Sequence, residues 1–145
     1  MSAYKDFEYI EMSNGNVLTD FPNIGQLLFK SKAEFVAYVD GYHYTQECFK
    51  MIETELRNAV ERHPEFCDAM SNPDIDFQEL EDAAKRSNSH APYYAENILA
   101  EKIYEAMNAY RMGDKAHCIQ ELAQCGAVII RMMDFVKKEM EGKAV

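Results

Sequence analysis

The chain has 145 residues, 48% hydrophobic and 28% charged, a length and composition that suit one domain with its own core. Fifteen Lys and Arg against 25 Asp and Glu leave a net charge of −10, which repels phosphate backbones and anionic membranes, so neither nucleic acid nor membrane is an expected partner. No apolar stretch approaches the roughly 20 residues that span a bilayer, and Met1 to Ile10 has no basic-then-apolar leader, so a cytoplasmic chain is expected.

Breakers are scarce, with six Gly and four Pro, and each marks a boundary. Phe7-Glu8-Tyr9-Ile10 and Val17-Leu18-Thr19 flank Ser13-Asn14-Gly15-Asn16, and Asn-Gly tolerates the positive φ of a tight hairpin turn. A short hairpin or irregular arm is therefore expected over residues 1–30. Ser31-Lys32-Ala33-Glu34 has the spacing of a capping box and opens a helix, or two broken near Gly41, that runs to about Arg62. Pro64 removes an amide donor and disfavours α geometry at His63, so the helix ends there.

A second capping box, Asp76-Phe77-Gln78-Glu79, starts a short helix to about Arg86. Pro92 opens another, whose Ile98, Leu99, Ile103, Ala106, Met107 and Tyr110 form an apolar face to about Met112. Gly113-Asp114 stops it and caps a last helix from Lys115 to about Glu141, with Cys118, Leu122, Cys125, Ile129, Met132, Met133 and Val136 at spacings of one, three and four. The expected fold is all-α: one domain, residues 1–30 an arm and residues 31–145 a bundle of four to five helices. The four cysteines form no CxxC pair and read as reduced, mostly buried thiols. The four histidines are dispersed, with no HxxxH or HExxH spacing for zinc.

Two helices joined by a tight turn run antiparallel, so positions equidistant from Gly113 lie at one height. Glu105 then faces Glu121, roughly 12 Å from the turn at 1.5 Å per residue, and Lys102 faces Gln124 roughly one turn further out. Glu101 and Glu105, four apart, share a helix face. Carboxylates converging from facing helices are how a bundle builds an oxygen-rich site for Mg²⁺ or Mn²⁺. Against this stands the ordinary fate of Glu and Lys on helices, which is solvated surface.

The segments Ile98-Leu99-Ala100-Glu101-Lys102-Ile103-Tyr104-Glu105-Ala106, Gly113-Asp114 and Glu121-Leu122-Ala123-Gln124-Cys125-Gly126-Ala127-Val128-Ile129-Ile130-Arg131 resemble the core of the MazG-like all-α nucleoside triphosphate pyrophosphohydrolases. His63-Pro64-Glu65-Phe66 is similar to a His-Pro segment that precedes the motif in some of them, and the resemblance covers about Glu53 to Phe135. It implies hydrolysis of a nucleoside triphosphate to the monophosphate and pyrophosphate, with Mg²⁺ or Mn²⁺ offsetting phosphate charge and activating water. On that resemblance Glu101, Glu105 and Glu121 stand at the acidic ligand and catalytic positions, and a homodimer or dimer of dimers is expected.

The chain departs from the family pattern twice. Lys102 stands at the second Glu of the first motif, and Gln124 at the Asp of the second. An ammonium at a metal layer removes a ligand and opposes the cation at once. Gln124, though counted with the metal positions, is neutral and suits only a hydrogen bond to water or phosphate. Lys102 and Arg131 are then candidates for phosphate contact, with Tyr104, beside Glu105, for stacking on a base. The alternative is a catalytically inactive helical bundle that serves as an interaction or nucleotide-sensing protein.

Overall fold

Asn14-Gly15 makes the turn its chemistry dictates. Gly15 has φ +87° and its amide donates to Met12 O at 2.9 Å, joining two paired strands. The computed structural model describes residues 1–142 of the chain, which fall into two units, Met1–Lys50 and Met51 onward, with the boundary inside one helix.

The first unit corrects the all-α expectation. Residues 1–30 are not an arm but a four-stranded antiparallel meander, β1 (Ser2–Tyr4), β2 (Phe7–Glu11), β3 (Val17–Phe21) and β4 (Gly25–Phe29), so the fold is α+β. The two outer strands were hidden because their turns lack the Asn-Gly signature. Lys5 adopts φ +53° between β1 and β2, while Asn23 at +63° and Gly25 at +94° shape the Pro22 turn between β3 and β4. The strands alternate as a half-buried sheet should. Phe7, Tyr9, Val17, Thr19 and Phe21 point inward, and Thr19 Oγ1 donates to Glu8 O at 2.7 Å, so its hydroxyl is satisfied.

Helix α1 (Lys32–Arg62) runs unbroken through Gly41. Ser31 Oγ accepts from the Glu34 amide at 3.2 Å, and Glu34 reaches back to the Lys30 amide at 3.0 Å, so the box forms with its return bond one residue early. Phe35 and Val39 of α1 pack on the sheet in one core with Phe7, Tyr9, Val17 and Phe21. Phe7 and Phe21 stack at 4.5 Å between centroids, and the edge of Tyr42 meets both rings. Asp40 fastens the β1 turn, accepting from Tyr4 Oη at 2.9 Å and pairing with Lys5 at 2.8 Å.

The second unit holds α2 (Phe77–Ser87), α3 (Ala95–Arg111) and α4 (Lys115–Met140). Asp76 and Asp114 cap α2 and α4, each accepting from the amide three residues on at 3.1 Å. Gly113, at φ +81°, turns α3 into α4. The contact between these helices is built from Ala106, Ala109 and Cys118, small residues that let the backbones approach. The buried line of α4 is Cys118, Glu121 and Cys125, whereas Leu122, Ile129 and Val136 of the expected apolar stripe are exposed. A carboxylate thus occupies the middle of a helix interface. Cys48 is also buried and Cys67 exposed, and all four thiols are free. Among the described residues no helix is long and apolar enough to cross a membrane.

Candidate functional site

Three helices of the second unit each send a carboxylate into one polar layer. Glu105 of α3 is largely buried and Glu121 of α4 buried, and their carboxyl groups face each other as their equal distance from Gly113 requires. Between them stands Lys102, whose Nζ lies 3.3 Å from Glu105 Oε2 and 3.6 Å from Glu121 Oε2. Lys102 and Glu105 are three apart on α3 and share its face. His117, one turn before Glu121, brings Nε2 to 3.1 Å from Glu121 Oε1. Oε2 of Glu121 is buried without a hydrogen-bond partner among the described residues, and the Lys102 ammonium lies 3.6 Å from it.

The third carboxylate, Glu81 of α2, belongs to no motif singled out from the sequence. It is 8% exposed and fully engaged, accepting from Lys85 Nζ at 2.9 Å, Asn108 Nδ2 at 3.1 Å and Gln78 Nε2 at 3.4 Å. Lys85 Nζ also lies 4.0 Å from Glu105 Oε1, linking Glu81 to the other pair. The signals for it were an i, i+4 pair, Glu81 with Lys85, and a polar Asn108 one turn beyond Glu105. Helical surfaces carry such patterns everywhere.

Burial and charge divide the acids. Burial raises the Glu105 carboxyl, and the neighbouring Glu121 raises it further, beyond what Lys102 recovers. Burial alone would also raise Glu121, but its interactions with Glu105, His117 and Lys102 outweigh that and hold it below the ordinary carboxylate range. Glu81 follows the same course: burial opposes ionisation, and hydrogen bonds from Lys85 and Asn108 win. Burial lowers Lys102, yet Glu105, Glu121 and Glu101 together leave it raised and charged. The layer is a self-neutralising network of acids and ammonium groups.

The other residues expected at the site are placed differently. Glu101 is half-buried and acts on Lys102 and Lys85 through its charge. Gln124 is half-buried on α4. Tyr104 packs on Phe77 of α2 with ring centroids 6.2 Å apart, a contact between helices. Arg131 lies ten residues beyond Glu121, about 15 Å along α4, away from the carboxylate layer. Arg111, beside the turn, holds the loop before α2, donating to Ser71 Oγ at 2.9 Å and to the carbonyls of Asn72 and Ile75 while stacking 4.4 Å over Phe77.

The divalent ion that the MazG-like resemblance implies does not suit this arrangement. Lys102 presents its ammonium to both carboxylates that would grip the ion, and Gln124 supplies no charge. Among the described residues no group of three or more His, Cys, Asp and Glu side chains is placed to hold a metal. The chain matches no protein-family model, no curated protein and no solved structure.

Proposed function

We propose that the helical unit works by binding rather than by hydrolysis, as a catalytically inactive interaction or nucleotide-sensing module built on a plan similar to that of the pyrophosphohydrolases. One observation carries this reading: Lys102 Nζ, at 3.3 Å and 3.6 Å from Glu105 and Glu121, already supplies the positive charge that a divalent ion would bring. A cation entering the layer must displace an ammonium held by two largely buried carboxylates, and it meets like charge as it does so. Outside the layer, Ile119 is 68% exposed and Ile103, Leu122 and Ile129 are more than a third exposed, a surface suited to a second helical partner, including a second copy of the chain.

The hydrolase reading keeps one supporting observation, the buried Glu121 Oε2 that accepts no hydrogen bond. Calorimetric titration with Mg²⁺ and Mn²⁺, with pyrophosphate release measured across a nucleotide panel, separates the two. Binding without hydrolysis predicts no saturable metal uptake at millimolar concentration and no pyrophosphate, and Lys102→Glu gains metal affinity by exchanging the resident cation for a ligand. Saturable Mg²⁺ binding with turnover in the unaltered chain would refute the proposal.

A further inference from the structure

At the far end of the α3–α4 hairpin, Ile98, Val128, Met132, Phe135 and Val136 wall an open groove of about 350 Å³, with Tyr93 also on its lining, and among the described residues the charged side chain that lines it is Arg131. The volume falls within the range of small-molecule sites, and an apolar wall with a small number of polar groups is their usual chemistry. Arg131 has no ion pair or hydrogen bond among the described residues. Its obvious partner, Asp134, is instead paired with Lys138 at 2.8 Å, and Glu121, an acid earlier on its helix, is engaged with Lys102 and His117 about 15 Å away. In a chain of net charge −10, an exposed guanidinium left unpaired beside apolar surface is a local exception to the field around it.

We infer that this groove binds a small apolar carboxylate, its hydrocarbon body against Val128, Met132, Phe135 and Val136 and its carboxylate held by the Arg131 guanidinium. The planar fork of Arg matches a carboxylate bidentately, and the wall excludes water on one side of the pair, strengthening it. A neutral ligand of the same shape would gain only the apolar contact. A polyanion such as a triphosphate would bring several charges to a single cation, with the chain's acidic field opposing the rest. The site is separate from the carboxylate layer, so this inference and the binding-not-hydrolysis reading stand or fall separately.

Calorimetry on the full chain at neutral pH tests it with octanoate and 3-phenylpropionate as probes and their uncharged amides as controls. At least one acid should bind saturably, with its amide at least about tenfold weaker, and Arg131→Gln should abolish that difference. Val136→Glu, a change at a side chain 56% exposed and so tolerated by the fold, should weaken both acids. Whichever acid binds more tightly identifies the body as aliphatic or aromatic. Amides equal to acids, Arg131→Gln without effect, or no saturation at millimolar probe would each overturn the inference. So would sedimentation showing a dimer that Val136→Glu dissolves and neither acid perturbs, since the groove would then belong to a second copy.

Discussion

Replacing Lys102 by Met keeps the length of the side chain and removes only the ammonium between Glu105 and Glu121. At the observed 3.3 Å and 3.6 Å, each attraction is roughly 5 kcal/mol gross at an effective dielectric of about 20. Most of that is offset by the desolvation of the ammonium, and loss of the cation raises the Glu105 carboxyl further, so that acid relieves the repulsion sooner in the variant than in the parent. Lys102 also keeps 26% of its side chain in solvent, which places the net loss below the 3–5 kcal/mol of a fully buried broken pair, at about 2 kcal/mol. For a unit of this size that lowers the melting temperature by about 8–16 °C. The defect depends on pH with a definite sign: it is largest where both carboxylates are ionised and shrinks as acid protonates Glu105. Urea unfolding of the variant and the parent at neutral pH and at about pH 5 measures it. Equal stability of the two proteins at both pH values, or a defect that grows on acidification, would refute the assignment of Lys102 as the internal counter-ion.

Other expectations follow from the same geometry. The folded-state value of Glu105 is raised, so its ionisation costs stability that is present below the unfolded pKa and lost as pH rises through the folded one; Glu105→Gln, which imitates the protonated form, should stabilise the protein by about 1 kcal/mol at neutral pH in thermal melts. Glu81 and Glu121 are lowered and contribute above the unfolded value, with the gain lost as pH falls through the folded one, so Glu81→Gln and Glu121→Gln should each cost about 1–2 kcal/mol at neutral pH and little in acid. Arg111→Ala should cost about 1.5 kcal/mol and speed hydrogen exchange at the Ile75 amide, whose loop the guanidinium holds. Gly113→Ala, at φ +81°, should cost about 1 kcal/mol, while Gly126→Ala inside α4, with open space around the added carbon, should gain about 0.5–1 kcal/mol in the same melts.

The helices were legible because their signals are local and redundant. Ser31, Asp76 and Asp114 each bring a side-chain oxygen to an orphan amide of the first turn, and that chemistry needs no tertiary partner. The sheet was half legible for the same reason. Asn14-Gly15 announces a turn by itself, but Lys5 at φ +53° is a position that composition does not flag, and Pro22-Asn23 before Gly25 lacks the Asn-Gly pair that marked the other turn. β4, Gly-Gln-Leu-Leu-Phe, has no clean alternation; its pattern appears only once Leu28 pairs with Leu18 on the open face and Phe29 with Val17 on the closed one.

The candidate site divides along the same line between local and tertiary information. Counting outward from Gly113 was enough to bring Glu105 and Glu121 together, because a tight αα turn converts sequence distance into height. Nothing in that count says which way Lys102 points, and its direction decides the chemistry: turned outward it would leave two acids free for a cation, while turned inward it is the cation. Glu81 was out of reach altogether, since it meets Asn108 only once α2 packs on α3, and Arg111, which holds the loop before α2, shows its role only when Asn72, Ile75 and Phe77 are brought around it. Arg131 shows the converse. Asp134 stands three residues on along the same helix, but Lys138 pairs with it from one helical turn further, and the guanidinium is left at an apolar wall by competition between i, i+4 and i, i+3 pairs. If Lys138→Ala frees Asp134, the carboxylate should turn to Arg131 and octanoate affinity should fall without any change to the groove itself, a loss that salt reduces because the competing pair is exposed.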